Sequence, residues 1–240
     1  MCGRFVSSST PDELADYFGI DQVADAVLEP NYNVAPTQDV FAVVEDESAR
    51  HLDAFFWGLV PSWAKDVKIG SRMINARAET LANKNAFKSS FAKRRCLIPA
   101  DGFYEWQKLG TPVVDPNGKK IAKQPTFIHR SDGAPLAFAG LWSVWRGPER
   151  DQEPLRSVTI ITTTPNQTMA PIHDRMPVIL PAEHWAGWLD RDNHDLDALS
   201  QLLVPAADDL LVTAPVSTAV NNVRNNGPQL VTTTARVDAD

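Results

Sequence analysis

The chain has 240 residues, of which 43% are hydrophobic and 22% charged, and its formal net charge is −7. These values are typical of a soluble globular protein with one ordinary domain or two small ones. Two cysteines, Cys2 and Cys96, exclude a disulfide framework and a cysteine zinc site, and the apolar runs are too short to span a membrane.

The first predicted helix is marked at both ends. Thr10 can cap it, Pro11 suits the first helical position, and Glu13 completes a capping box. Gly19 can end the helix in the left-handed conformation. Residues 31–37 are rich in turn formers and predict a loop. Further helices are predicted at residues 79–91, 182–190 and 195–203.

Strand-forming segments dominate the rest of the chain. They lie at residues 40–44, 54–60, 95–99, 125–129, 136–142, 157–163 and 211–216. Residues 108–124 contain the turn sequence Asp115-Pro116-Asn117-Gly118 and predict a polar hairpin or insertion. The strands do not alternate regularly with helices, so a doubly wound parallel sheet is not expected. We predict one α+β domain of mainly antiparallel sheet, barrel-like or sandwich-like, with peripheral helices.

Basic residues are concentrated in one part of this acidic chain. Residues 65–95 contain nine basic and two acidic side chains, a net charge of +7, which leaves −14 for all other residues. An acidic protein with one basic strip is compatible with a polyanion that docks on a single face. The alternative, a solvated helix face, is the one that composition alone favours.

Cys2 occupies a position with its own chemistry. Removal of Met1 would leave an amino-terminal cysteine with an α-amine and a thiol on adjacent carbons. The amine has a reference pKa of about 7.7–8.0, so part of it is neutral and nucleophilic near pH 7. An aldehyde attacked by this amine gives an imine, and the thiol can close onto that imine as a thiazolidine. The alternative is an ordinary buried cysteine.

Two residues are candidates for proton transfer. Glu105 stands in an aromatic segment where it would lose hydration, which suits a general acid–base group. His173 lies in a proline-flanked loop between apolar segments. The alternative for Glu105 is an acid at the end of a strand that faces water, and the alternative for His173 is a structural role. A Cys2–His173–Asp174 triad is disfavoured because adjacent side chains of an extended segment point to opposite faces. No spacing of His, Asp and Glu residues in the sequence indicates a metal site.

Two further patterns point to a nucleic acid. Asn75 can orient an amine or a sugar oxygen, and Arg77, two residues later, can hold a phosphate. The alternative interpretation is that Asn75 and Arg77 belong to an ordinary turn that leads into a helix. Trp63 and Trp106 lie beside polar residues and could stack on unpaired bases, whereas Trp57, Trp142 and Trp145 fall in apolar strands and are expected in the core.

Seven short strings, in the same order along the chain, resemble the SRAP family, the SOS-response-associated peptidase family of abasic-site processing proteins. The strings cover the chain from residue 2 to about residue 230. They are Met1–Phe5, Tyr32–Pro36, Trp57–Trp63, Ile74–Thr80, Ala100–Trp106, Ile172–Pro177 and Asn222–Gly227. The resemblance implies the SRAP fold over residues 1–240, with a core at about 2–230 and a short carboxyl-terminal tail.

The resemblance also implies an activity. Such proteins capture abasic sites in single-stranded DNA as covalent crosslinks. By analogy, the amine of Cys2 attacks the C1′ aldehyde and its thiol closes the thiazolidine. Asn75 would orient the amine or sugar, Glu105 would transfer protons, and His173 would assist sugar-ring opening. The positions implied for phosphate, polar or base contacts are Arg4, Asn33, Pro36, Trp63, Arg77, Trp106, Thr162 and Arg175.

The implied partner is single-stranded DNA with abasic sites, bound by a monomer without a cofactor. A lyase side activity through the imine and self-removal of Met1 are also implied. Ala64 follows Trp63 where some members have a second aromatic residue, and the segments 108–124 and 146–154 look longer than the family pattern. Residues 1–30 contain no secretory signal, so we expect a cytoplasmic protein, associated with the nucleoid when bound to DNA.

Two other functions remain open at this point. A thiol or amino-terminal-nucleophile peptidase could use Cys2, His173 and Glu105, but it would give the basic strip and the exposed tryptophans no role. A non-covalent single-strand binding module would make Cys2 incidental. Its binding would collapse as salt rises, whereas a covalent adduct would persist.

Overall fold

The computed structural model describes residues 2–114, 120–148 and 153–235. Strands β1–β13 are Phe5–Ser7, Gln22–Val23, Asn31–Val34, Asp39–Glu45, Arg50–Trp57, Asn75–Arg77, Arg95–Ala100, Gly102–Val114, Lys120–Arg130, Leu136–Trp145, Leu155–Thr163, Met176–Pro177 and Leu211–Pro215. Helices α1–α4 are Pro11–Phe18, Lys88–Lys93, Trp185–Leu189 and Leu196–Gln201. Short 3₁₀ helices occupy Val67–Arg72, Ala78–Thr80, Ala182–His184, Thr218–Asn221 and Pro228–Val231. None of the described helices is long and apolar enough to cross a membrane.

The strands form two sheets. A five-stranded sheet has the order β13-β9-β8-β1-β3, and an eight-stranded sheet contains β12-β11-β10-β7-β4-β5-β2, with β6 paired to β11. Most neighbours are antiparallel, but β2–β5, β5–β11 and β6–β11 run parallel. The helices are few and short. The prediction of an α+β fold of mainly antiparallel sheet with peripheral helices is confirmed.

The amino-terminal segment is part of the core. Cys2, Phe5, Trp57, Phe103 and Phe138 belong to one buried apolar cluster. Phe5 makes edge-on contacts with Trp57 and Phe138, at centroid distances of 5.0 and 6.1 Å. Such aromatic pairs contribute about 0.5–1.5 kcal/mol each beyond their buried area. This packing fixes the backbone that carries Cys2.

Helix α1 forms as the sequence predicts. The hydroxyl of Thr10 accepts a hydrogen bond from the backbone N–H of Glu13, and the Glu13 carboxylate accepts one from the N–H of Thr10. Gly19 ends the helix with φ of 62°. The strands predicted in the sequence are all present, with shifted ends. Strand β5 ends at Trp57 rather than at residue 60.

Two predictions of local structure were wrong. Residues 31–34 form strand β3 instead of a loop, because pairing with β1 overrides the turn propensity of this segment. The helix predicted at 79–91 is only a 3₁₀ turn at 78–80 and helix α2 at 88–93. Asn83 and Asn85, which are weak helix formers, lie in the interrupted part.

The predicted hairpin at 108–124 is formed by β8 and β9, whose register pairs Lys108 with Lys123. Its turn at 115–118 lies outside the described residues, as do residues 149–152 of the second long segment. Residues 236–240 of the predicted tail also lie outside them, so the extent of the domain stays a prediction.

Gly102 begins strand β8 where another strand passes very close. A Cβ at this position would overlap the ring of Phe127 and lie 2.7 Å from the carbonyl oxygen of Ile128. We expect Gly102→Ala to reduce the free energy of unfolding by about 1–3 kcal/mol, because the core must shift. Gly110→Ala is the control, since no atom lies within 4 Å of its added Cβ. Equal effects of both variants on chemical denaturation would contradict this account.

Candidate functional site

The side chain of Cys2 is fully buried. Burial raises the pKa of its thiol, and the negative charge of nearby Glu105 raises it further. The thiol is therefore held protonated at neutral pH. A thiol hydrolase needs the opposite, a lowered thiol pKa that supplies thiolate.

Asn75 holds the backbone of Cys2 from strand β6. Its Nδ2 donates a hydrogen bond of 2.8 Å to the carbonyl oxygen of Cys2. Its Oδ1 is buried and has no hydrogen-bond partner in the part of the chain that the structure describes. Strand geometry places Arg77 on the same face as Asn75, and buried Ala76 on the other. An acceptor is thus available beside Cys2, with an exposed cation two residues away.

Glu105 and His173 lie next to each other. Glu105 is only 4% exposed, and its Oε2 lies 3.9 Å from Nε2 of His173. The other ring nitrogen, Nδ1, accepts a hydrogen bond of 3.0 Å from the backbone N–H of Arg175. This acceptor role places the proton of the neutral ring on Nε2, facing the carboxylate of Glu105. The pair can therefore move a proton near Cys2.

The position of Asp174 differs from expectation. Its Oδ1 lies 2.9 Å from Nδ1 of His173, although adjacent side chains were predicted to point apart. Residues around Asp174 form a bend rather than an extended strand, so the side chain folds back. Nδ1 cannot donate to Asp174 while it accepts from Arg175. The Asp174 carboxylate is 90% exposed, so water competes for it, and the backbone contact dominates.

Arg175 is held by two parts of the chain. Its guanidinium makes two hydrogen bonds to the Glu79 carboxylate, of 2.6 and 3.0 Å. It also donates to the carbonyl oxygen of Thr162 at 2.6 Å, and the Thr162 side chain is buried. Nε of Arg175 is buried without an acceptor in the described residues. Thr162 therefore positions Arg175, and Glu79 occupies the guanidinium fork that was predicted to bind a phosphate.

The Arg175–Glu79 pair has a pH dependence of predictable sign. The hydrogen bonds from Arg175 hold the pKa of Glu79 below its usual range. A lowered folded-state pKa adds stability above the unfolded value of about 4.3, and this is lost as pH falls through the folded value. We expect Glu79→Gln to lower the melting temperature at neutral pH and to match the wild type in acid. A constant difference would contradict this, and exposed Glu183→Gln is the control.

Arg4, Asn33 and Trp106 form a second group. A guanidinium nitrogen of Arg4 donates to Oδ1 of Asn33 at 2.8 Å and to the carbonyl of Val220 at 2.9 Å. The guanidinium carbon lies 5.7 Å from the ring centroid of Trp106. Asn33 is 1% exposed, and its Nδ2 donates to carbonyls of residues 220, 222 and 225. Asn33 thus fixes Arg4 and the carboxyl-terminal segment.

Pro36 and Trp63, both predicted to contact bases, differ in exposure. Pro36 is half-buried and precedes Thr37, whose φ of 71° is rare for a β-branched residue. Trp63 is 59% exposed and lines a concavity of about 420 Å³ that also contains Lys65, Lys68 and Arg72. Among the described residues, no hydrogen bond, ion pair or ring contact joins Trp63 to Cys2.

Two features of this region received no role from the sequence. Glu79 lies in a string that the family resemblance already contained, but nothing local indicates a partner 96 residues away. The segment at residues 220–225 supplies carbonyls to Asn33, and its run of asparagines was the available signal. Among residues 2–114, 120–148 and 153–235, no group of three or more His, Cys, Asp or Glu could hold a metal.

Comparison with known proteins places the chain among relatives of one kind. The family model described as SOS response associated peptidase (SRAP) matches residues 1–223. The abasic site processing protein YoqW of Bacillus subtilis is 45% identical over 232 residues, covering 96% of this chain and 99% of its own. YedK of Escherichia coli, which has the same description, is 33% identical and covers 96% and 99%. HMCES of Xenopus tropicalis is 33% identical and covers 95% and 77%.

Solved structures agree on the fold. A protein of Bacteroides thetaiotaomicron superposes with a TM-score of 0.82 at 24% identity, covering 97% of this chain and 100% of its own. A phage-related protein of Bordetella bronchiseptica gives a TM-score of 0.67 at 30% identity, covering 90% and 94%. The match of the family model over nearly the whole length and the identity to three such relatives lead to one conclusion: the chain belongs to the SOS response associated peptidase (SRAP) family.

Proposed function

We propose that this protein recognises abasic sites in single-stranded DNA and joins them covalently to Cys2, which shields the lesion. The relatives described as abasic site processing proteins support the substrate. The observation that carries the proposal is the setting of Cys2, whose carbonyl is held by Asn75 and whose thiol lies near Glu105. We further propose that the protein acts as a monomer in the cytoplasm, at the nucleoid when bound to DNA.

The proposed reaction needs Met1 to be removed, which frees the α-amine of Cys2. The ring-opened sugar presents an aldehyde at C1′, and the amine attacks this carbon to give a carbinolamine. Loss of water gives the imine. The thiol then adds to the imine carbon, and its proton passes to nitrogen, which closes the thiazolidine. One water molecule is released overall.

Each nearby side chain has a proposed part in these steps. The Nε2 proton of His173 would assist opening of the sugar ring, and Glu105 would carry protons to and from the carbinolamine. Glu105 would also accept the thiol proton, because the raised pKa of the thiol leaves little thiolate. Oδ1 of Asn75, which is buried without a partner in the described residues, would accept from the amine of Cys2.

The arginines are proposed to hold the phosphates. Arg77 is exposed and can bind directly. Nε of Arg4 and Nε of Arg175 are both buried without an acceptor in the described part of the chain, and an unpaired buried donor is costly. A DNA phosphate would remove that cost, and it would displace Glu79 from Arg175. Asn33 and Thr162 would act through these arginines, and Pro36, Trp63 and Trp106 would contact bases.

Two side activities belong to the same proposal. The imine makes β-elimination of the 3′ phosphate possible, which is a lyase activity. The amino-terminal site could also remove Met1, although Met1 lies outside the described residues. The family description favours a second candidate function, a peptidase that acts on other proteins. The raised pKa of the Cys2 thiol argues against a thiol hydrolase of that kind.

The test is a reaction of the purified, Met1-free protein with single-stranded DNA that carries one abasic site. A denaturing gel and intact-mass analysis should detect a heat-stable species with the mass of protein plus DNA minus one water. Undamaged DNA is the control and should give none. Absence of the adduct, with Met1 confirmed absent, would contradict crosslinking, and cleavage of peptide substrates would then favour the peptidase.

A further inference from the structure

The backbone of Thr37 has an unusual conformation. Among the residues that the structure describes, Thr37 is the only one other than glycine with a positive φ, 71°. For a β-branched residue this conformation is strained. The side chain of Thr37 is exposed, so packing in the core does not explain why the strained residue is threonine. Strained residues cluster at functional sites, and none of the roles proposed above uses Thr37.

A tight turn requires this conformation. The backbone N–H of Gln38 donates to the carbonyl oxygen of Ala35 at 3.3 Å, and Pro36 occupies the second position of the turn. This is the pattern of a type II turn, which needs a positive φ at its third position, Thr37. Glycine or asparagine is usual there, because both tolerate the left-handed conformation. The chain therefore carries threonine where a less strained residue could form the same turn.

Hydrogen bonds to a neighbouring strand hold the turn in place. The backbone N–H of Thr37 donates to the carbonyl oxygen of Trp57 at 2.9 Å, and the N–H of Trp57 donates to the carbonyl oxygen of Gln38 at 2.9 Å. Within the turn, Oε1 of Gln38 accepts from the N–H of Ala35 at 2.9 Å. The backbone that carries the exposed hydroxyl of Thr37 is thus fixed before any ligand binds. A preorganised group of this kind loses little entropy on binding.

The turn lies at the end of the fold that carries Cys2. Trp57, which bonds the turn, also donates from Nε1 to the carbonyl oxygen of Ile74 at 3.0 Å. The next residue, Asn75, donates to the carbonyl oxygen of Cys2 at 2.8 Å. The same tryptophan therefore connects the turn to the strand that positions Cys2.

We propose that the hydroxyl of Thr37 donates a hydrogen bond to the nucleotide that contacts Pro36, next to the abasic sugar captured at Cys2. Glycine would fit the turn without strain but has no side-chain donor, whereas threonine supplies one. The acceptor is a base atom or a phosphate oxygen of that nucleotide. This inference rests on the proposed function, and it adds a residue on which the affinity for DNA depends.

The test uses three variants of one position. Thr37→Gly removes both the side chain and the strain, Thr37→Val keeps the branched shape without the hydroxyl, and Thr37→Ser keeps the hydroxyl. Binding of the Met1-free protein is measured by fluorescence anisotropy with single-stranded DNA that contains a non-reactive abasic analogue. Melting curves give the stability of each variant.

We expect Thr37→Gly to raise the melting temperature by about 2–4 °C and yet to weaken DNA binding. Loss of one hydrogen bond should raise Kd by about 2–12-fold in Thr37→Gly and Thr37→Val, whereas Thr37→Ser should bind as the wild type does. A purely structural residue would not weaken binding while its replacement stabilises the fold. Thr213→Val is the control, because it removes an exposed hydroxyl from β13, at the opposite edge of the five-stranded sheet from β3.

A panel of oligonucleotides with each of the four bases on the 5′ or the 3′ side of the analogue identifies the acceptor. A loss of affinity in Thr37→Val that changes with the base assigns the contact to a base atom, and a uniform loss assigns it to a phosphate oxygen. Wild-type affinity of Thr37→Val for every oligonucleotide would overturn the proposal.

This readout does not depend on covalent chemistry, so the two proposals fail separately. If the wild type forms the covalent adduct but Thr37→Val binds every oligonucleotide as the wild type does, only the contact of Thr37 is refuted. If no adduct forms with reactive DNA, the proposed function fails, whatever the affinities of the Thr37 variants.

Discussion

Cys2→Ser is expected to abolish the heat-stable adduct with abasic DNA. Serine keeps the α-amine of residue 2, so the imine can still form, and borohydride should trap it as a stable secondary amine. The thiol that closes the thiazolidine is gone, so without borohydride the adduct should fall to the level seen with undamaged DNA. Gel analysis with and without borohydride measures the two species.

Cys96→Ser is the matched control for this variant. Cys96 is as buried as Cys2 and belongs to the same apolar cluster, so both substitutions place a hydroxyl in the same core. We expect Cys96→Ser to crosslink at the wild-type level at temperatures where it remains folded. A heat-stable adduct from Cys2→Ser would remove the thiol of Cys2 from the mechanism. Loss of the adduct in folded Cys96→Ser would show that the effect of Cys2→Ser is not specific to the thiol of Cys2.

Glu105→Gln is expected to slow capture of the lesion by about 10²–10⁴-fold, the usual contribution of a general acid–base group. Glutamine preserves the shape of the side chain, which is 4% exposed, but it cannot transfer a proton. The rate of imine formation is measured by borohydride trapping over time. A merely structural Glu105 would lower stability without slowing capture at temperatures where the variant remains folded.

The control for Glu105→Gln is Glu183→Gln, which removes a carboxylate from an exposed position. It should crosslink at the wild-type rate. His173→Asn offers a second comparison, because Nε2 of His173 lies 3.9 Å from Glu105. If the two act together, the double variant should be little slower than the slower single variant. Fully multiplicative effects would show that they act independently.

The sequence predicts local structure where the deciding interactions are local. Helix α1 depends on Thr10, Glu13 and Gly19, which lie within ten residues of one another, and it formed as predicted. Strand β3 depends on pairing with β1, a non-local contact that turn formers in the segment conceal. The helix expected at 79–91 failed for a local reason that the prediction underweighted, since Asn83 and Asn85 reduce the helix propensity that the surrounding apolar residues suggest.

The candidate site shows the same division. The chemistry proposed for Cys2 follows from its position and residue type, so it can be proposed without a fold. The hydrogen-bond partner of a polar side chain cannot be inferred in this way. Arg175 was expected to hold a phosphate, yet its fork is bonded to Glu79, and Asn33 and Thr162 are buried beneath the arginines. These partners are distant along the chain, and only the folded arrangement brings them together.

The bond between Arg4 and Val220 joins residues 216 positions apart, and this has a consequence for protein synthesis. The amino terminus leaves the ribosome first, but Cys2 packs in a cluster that includes Leu211, and Arg4 is bonded to Val220, both of which are translated late. At about 5–20 residues per second, the nascent chain leaves Cys2 unenclosed for about 10–40 s. A ribosome-associated aminopeptidase can act in that interval. For the proposed function, which requires Met1 to be removed, the time available to such an enzyme would be set by the rate of translation rather than by any opening of the finished protein.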